Sequence, residues 1–195
     1  MSTAESGFAV RAAIPEDAEK IAAVFVETWR DTYPGMLPDR VLVKMSDEAQ
    51  AFYWSRLLSA RRAREFVRVA VRANGALAGF GSAGPGRDGV RDGGRQGATH
   101  EGEVYTLYVR PDWQNRGVGR KLICALLQGL RERGWYQAML WVLAANPSRF
   151  FYEAMGGLKS YERSERLWGM DVPQIGYRWP DLATVFKEGG PCSRR

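Results

Sequence analysis

Histidine and cysteine are almost missing from this 195-residue chain: there is one histidine, His100, and there are two cysteines, Cys124 and Cys192. His100 lies in a glycine-rich stretch and reads as a surface residue, and no metal site is expected. Cys124 falls in a helical pattern and Cys192 in the tail. That pair does not read as a disulfide framework, which makes a reducing, cytoplasmic home the default. No apolar run approaches the roughly 18 residues that a membrane helix needs. The opening residues lack a basic stretch followed by an apolar one, so no secretion signal is expected. Segregated charge is lacking too. The 28 basic residues are interspersed with 22 acidic ones, leaving a net charge of +6. The densest basic cluster, Arg61, Arg62 and Arg64, is short. Solvated faces account for this pattern better than a nucleic-acid groove does, and some of the charge is left to serve a small anionic ligand.

The residues that are present describe one ordinary globular domain, 45% hydrophobic and 26% charged. Phe8 to Ala13 reads as a strand, and Pro15-Glu16-Asp17 opens a helix whose Ile21, Val24, Phe25 and Trp29 share one face. A second helix is predicted from about Asp47 to Leu58. Phe66 to Arg72 and Leu77 to Ser82 are strands joined by a turn at Asn74-Gly75. Pro85 to Glu101, rich in Gly, Arg and Asp, is expected to be a flexible loop. Glu103 to Val109 is the next strand, and Lys121 to Arg133 is a helix closed by Gly134. Ala138 to Leu143 is a strand, and a short helix runs from Asn146-Pro147 to Met155. Leu158 to Arg166 and Gln174 to Trp179 are the last strands. This order implies an α+β fold in three layers, a mixed sheet with helices on its faces. The domain is expected to span residues 8–179, with 1–7 and 180–195 as flexible termini.

Gln114-Asn115-Arg116-Gly117-Val118-Gly119-Arg120 stands between a strand and a helix, where unpaired N–H groups point at whatever lies over the helix start. Such a turn wants an anion. A dinucleotide-binding G-x-G-x-x-G/A fingerprint fails here, because its third position is Leu122 and the turn comes too late after Val109. A Walker-type loop fails as well, since Gly119-Arg120-Lys121 lacks the Lys-Ser/Thr ending.

The pattern Gln114-x-x-Gly117-x-Gly119, preceded by Leu107-Tyr108-Val109-Arg110-Pro111, resembles the acetyl-CoA motif of the GNAT acetyltransferase superfamily. Downstream, Asn146 to Gly157, with Phe151-Tyr152-Glu153 and Gly156-Gly157, resembles the family's second motif. The interval from Asn146 to Tyr152 is one residue shorter than the commonest family spacing. The resemblance covers residues 8 to 179. It implies a GNAT-type sheet whose two central strands splay, with a bulge in the first, around acetyl-CoA as acyl donor.

By that resemblance, Leu107, Tyr108 and Val109 meet the pantetheine arm, and Asn115, Arg116, Gly117, Val118, Gly119 and Arg120 hold the pyrophosphate beside Gln114. Asn146 matches a donor-binding asparagine, although Asn before Pro is equally an ordinary helix cap. Tyr152 matches the general acid that protonates the leaving thiolate. The Val109 N–H is an oxyanion donor. Glu103 matches a general base acting through water. Trp29, Thr32 and Tyr33, with Trp168, fall where the family walls the acceptor site. The implied reaction is N-acetylation of a small-molecule amine or a protein N-terminus, by direct attack on the thioester. The acceptor itself is left open. Members of the family often dimerise, so a homodimer is one assembly that the resemblance allows. A non-catalytic acyl-CoA sensor on the same fold and a basic nucleic-acid-binding domain are the competing readings.

Overall fold

The computed structural model describes residues 7–60, 64–87 and 101–193. In chain order it contains β1 (Phe8–Ala12), α1 (Ala18–Thr32), α2 (Asp39–Val43), α3 (Asp47–Ser59), β2 (Phe66–Arg72), β3 (Leu77–Pro85), β4 (Glu101–Val109), α4 (Val118–Glu132), β5 (Gln137–Leu143), α5 (Arg149–Ala154), β6 (Leu158–Leu167), β7 (Met170–Trp179) and α6 (Leu182–Phe186). The strands form a mixed seven-stranded sheet in the order β1-β2-β3-β4-β5-β7-β6. The expected loop at 85–101 and His100 within it fall almost wholly outside the described residues. The chain divides into two compact units, residues 1–82 with 106–126, and residues 83–105 with 127–195.

In the first unit, β1 and β2 pair antiparallel from Phe8↔Arg72 to Ala12↔Arg68. Adjacent residues of a strand face opposite sides. Val69 therefore packs with Ile21, Val24, Trp54 and Phe80 under α1 and α3, while Ala70 packs with Phe8, Val118 and Leu122 under α4. The expected helical stripe of α4 is buried: Val118, Leu122, Ile123 and Leu126 are at most 1% exposed. Ser46 caps α3 by accepting the Ala49 N–H at 3.3 Å. At the entry to α1, burial raises the pKa of the Asp17 carboxyl. The hydrogen bonds from Arg11 and the Ile14 N–H outweigh that effect and hold it below the usual carboxylate range.

In the second unit, β4 and β5 run parallel, with Glu101 to Glu103 in register with Gln137 to Met139. β5 and β7 pair antiparallel from Ala138↔Trp179 to Leu143↔Gln174. The hairpin of β6 and β7 turns through Trp168 (φ 51°) and Gly169 (φ 85°), a two-residue connection with both φ values positive, as the twist of paired strands favours.

Two expectations need correcting. Residues 180–193 are not a loose tail. Asp181 caps α6 by accepting the Ala183 N–H at 2.8 Å, Leu182 and Val185 are buried, and the Cys192 N–H returns to the Val185 carbonyl at 2.9 Å. Neither cysteine is free, either: Cys124 and Cys192 are both disulfide-bonded. Sequence patterning hid this because a five-residue helix carries too short a periodic signal to show that the tail is anchored. Among the described residues no helix is long and apolar enough to cross a membrane.

Candidate active site

The turn after β4 is built from backbone conformations that few residues tolerate. Pro111–Trp113 form a single 3-10 turn. Beyond it, Asn115 (φ 58°) and Gly117 (φ 81°) lie in the left-handed region, where asparagine and glycine pay the smallest steric penalty. A Cβ on Gly117 would touch nothing within 4 Å, so glycine is required there by backbone angle and not by space. The Lys121 N–H donates to the Gly117 carbonyl at 3.1 Å and so begins the hydrogen bonding of α4. The N–H groups that precede it lie outside the helical ladder at the positive end of a 15-residue helix. Gln114 turns back, its Nε2 donating to the Val109 carbonyl at 3.2 Å. A turn of this form is able to serve as a backbone anion cradle.

β4 leads into this cradle with a change of side. Gly102 faces α4, because a Cβ there would meet Leu130 Cδ2 at 2.6 Å, and Leu107 and Val109 also pack toward that helix. Residues 102 and 107 share a side only if one extra residue intervenes, which is a β-bulge. At the same place the Ser82 N–H donates to a side-chain atom, Thr106 Oγ1, at 3.1 Å. These contacts are what the bulge expected in this strand would produce. Leu107 and Val109 are packed side chains, so what they can offer a ligand is backbone.

Tyr108 points to the opposite side, with its ring 5.3 Å from Phe25 and 5.7 Å from Phe80. An aromatic series continues outward from there. Phe25 stacks on Trp29 at 5.1 Å, and Trp29 meets Tyr33 edge-on at 4.9 Å. Trp29 and Tyr33 thus extend the core to the surface as half-buried rings. Beside them Arg110 pairs with Glu27 at 2.8 Å.

The second unit holds the remaining expected residues. Glu103 is 1% exposed. Its Oε1 accepts Arg87 Nη2 at 2.6 Å and Nε at 3.1 Å, and its Oε2 accepts the Arg87 backbone N–H at 2.8 Å. Glu101, two residues earlier, is also buried and accepts Arg178 Nε at 2.7 Å. These are interior carboxylates with guanidinium partners, not surface charges at a strand entry. Asn146 is buried, and its Oδ1 accepts the Ser148 N–H at 2.8 Å. That side chain shapes the turn into α5. Tyr152 is buried on α5, its ring 5.3 Å from Phe151 and 6.1 Å from Tyr177. The end of α5 explains the paired glycines: Gly156 has φ 79°, and a Cβ on Gly157 would meet the Tyr152 carbonyl at 2.9 Å and Trp179 Cζ2 at 3.0 Å. Trp168 sits at the exposed tip of the β6–β7 hairpin.

Sequence patterning missed one feature of this unit. Ala144, Glu162, Arg163, Pro173, Gln174 and Ile175 line a cavity of about 300 Å³. Arg163 lies 4.0 Å over the Trp141 ring and donates to Gln174 Oε1 at 2.7 Å. β6 alternates in burial, and the Trp141–Arg163 pairing depends on register across three strands. The sequence does not carry that register.

A mixed sheet, a left-handed turn and a helix start with N–H groups outside the helical ladder define the class of domain, an α+β fold in three layers. The chain belongs to the acetyltransferase (GNAT) family, whose profile matches residues 23–157. It is 30% identical over 176 residues to the uncharacterized N-acetyltransferase YuaI of Bacillus subtilis, covering 90% of this chain and 95% of that one. Among solved structures it is similar to a PaiA N-acetyltransferase from Thermoplasma acidophilum in complex with coenzyme A (TM-score 0.61, 20% identity, 92% of this chain and 100% of that one). It is also similar to YncA, a putative acetyltransferase from Salmonella typhimurium with acetyl-CoA (TM-score 0.65, 18% identity, 89% and 94%).

Proposed function

We propose that this protein transfers acetyl from acetyl-CoA to a primary amine by direct attack of the amine on the thioester. The observation that carries this reading is the cradle at 115–120, with Asn115 and Gly117 in the left-handed region and the first helical bond made only at Lys121. Its N–H groups suit the pyrophosphate, with Arg116 and Arg120 as charge-assisted partners. The bulge expected in β4 lies ahead of Leu107, Tyr108 and Val109, whose backbone suits the pantetheine arm. Family membership and relatives crystallised with coenzyme A or acetyl-CoA support the donor, and a cytoplasmic location is proposed from that donor alone, the bonded cysteines having removed the argument from a reducing compartment.

In the reaction, the amine nitrogen forms a bond to the acetyl carbon and the carbon–sulfur bond breaks. The Val109 N–H is suited to the developing oxyanion. Tyr152 supplies the proton for the departing thiolate, and Glu103 receives the ammonium's proton through water. Asn146 is assigned to the donor through the atoms its turn leaves over. Trp29 and Tyr33 offer aromatic surface to the acceptor, a small-molecule amine or a protein N-terminus.

A second reading is a non-catalytic acyl-CoA sensor. What favours it is the engagement of both Glu103 oxygens by Arg87, which leaves the base occupied until that pair opens. Calorimetry with acetyl-CoA, followed by thiol release over an amine panel, separates the two. Binding with thiol release supports the transferase, and binding without release for any amine supports the sensor. No binding at millimolar donor overturns both.

A further inference from the structure

Arg72, at the end of β2, lies 4.3 Å over the ring of Trp113, and Arg116, in the cradle, lies 5.1 Å over the same ring. Neither guanidinium belongs to an ion pair among the described residues. Asp112, next to Trp113, pairs with neither. Phe8, in register with Arg72, carries a third cation, Lys121 Nζ, at 4.7 Å from its ring centre. Three cations of this region are thus held on aromatic faces.

Stacking satisfies the face of a guanidinium and leaves its N–H edge unused. Gathering like charges on one ring without an acid between them costs free energy unless an anion joins them. The planar N–H fork is the geometry that matches phosphate oxygens in pairs. The backbone cradle that includes Arg116 already suits a pyrophosphate, whereas Arg72 comes from a different strand and adds charge beyond it.

We propose that Arg72 and Arg116, held on Trp113, bind a phosphate monoester, the ribose 3′-phosphate of the coenzyme A donor. The proposal rests on the donor assignment made above. It gives the chain a reason to distinguish coenzyme A from donors that carry only the diphosphate.

Titration calorimetry of the full chain with coenzyme A and with 3′-dephospho-coenzyme A tests this. The wild type is expected to bind coenzyme A about 10- to 100-fold more tightly, as loss of charge-assisted hydrogen bonds to one phosphate implies. Arg72→Gln is expected to bring coenzyme A down to the dephospho level while leaving dephospho-coenzyme A affinity unchanged. Arg116→Gln, at an exposed position, is expected to weaken both ligands, because Arg116 also serves the pyrophosphate, and to weaken coenzyme A the more. Equal affinity of the wild type for the two ligands overturns the proposal. Loss of both affinities in parallel in Arg72→Gln also overturns it, and would reassign that residue to the pyrophosphate. Failure of the wild type to bind either ligand overturns the donor assignment itself, a result distinct from equal binding.

Discussion

Arg87 occupies both carboxylate oxygens of Glu103, through its side chain on Oε1 and its own backbone N–H on Oε2. The two ends of this pair differ in setting: the Glu103 side chain is 2% exposed and that of Arg87 is 61% exposed. Opening the pair therefore rehydrates the arginine readily and strands the glutamate. We expect Arg87→Gln to destabilise the fold by about 1–3 kcal/mol, the range for leaving a buried polar group short of partners. Combining it with Glu103→Gln should return part of that loss. Urea unfolding of the two single variants and the double variant measures the coupling, and strict additivity would show that Arg87 does not hold Glu103.

Glu103→Gln is also a test of chemistry. If Glu103 takes the amine's proton through water, the variant loses activity at neutral pH and regains it as rising pH supplies free amine. A kcat/KM profile superimposable on the wild type would remove the base role and leave Glu103 as an interior ion-pair partner.

Tyr152→Phe removes one hydroxyl from a buried ring and leaves the ring's contacts with Phe151 and Tyr177 in place. Loss of a general acid lowers kcat by about 10²- to 10⁴-fold. We expect an effect near the lower end of that range, with donor affinity unchanged by calorimetry. Unchanged turnover would assign Tyr152 to packing alone.

Gly117→Ala separates strain from space. With φ at 81° and no atom within 4 Å of an added Cβ, alanine is resisted only by its own backbone, at about 1–2 kcal/mol. The turn should relax out of the left-handed region and misdirect the N–H groups. Acetyl-CoA affinity is expected to fall about tenfold or more, that being the affinity equivalent of roughly 1.4 kcal/mol, while the melting temperature changes little. Intact affinity would mean that the cradle tolerates a different turn.

Tyr177 supplies a stability signature at alkaline pH. It is fully buried and donates to Glu153 Oε1 at 2.6 Å. Burial first, and then the Glu153 carboxylate, push its pKa up to about 12. The unfolded chain's tyrosine ionises near 10, so the unfolded state releases its proton first. The stabilisation held below pH 10 is lost as pH rises toward 12, on the order of 2–3 kcal/mol. Tyr177→Phe should lack that part of the decline, and parallel denaturation profiles for wild type and variant would refute it.

Much of the fold was legible in the sequence because its elements are long and periodic. β2 was read with its exact bounds and α4 by its apolar stripe, since a buried face repeats every two or every 3.6 residues whatever it packs against. α2 and α6 were missed because five residues hold barely more than one turn. The turn at 115–117 was legible for a different reason: Asn115 and Gly117 are the residue types that left-handed backbone selects, so local conformation wrote itself into local sequence.

The sequence by itself determined the family, the left-handed turn at 115–117 and the expected place of a bulge, all of them properties of contiguous segments. Only the tertiary structure decided which distant side chains meet. Arg87 comes to Glu103 from across a hairpin, Arg163 reaches Trp141 across strands, and Arg72 arrives over Trp113 from β2. Each of these pairings depends on strand register, which is fixed by the whole sheet and by burial on its two faces. A single strand's residue order is compatible with many registers, so the partners of these charges could not be read before the strands were placed.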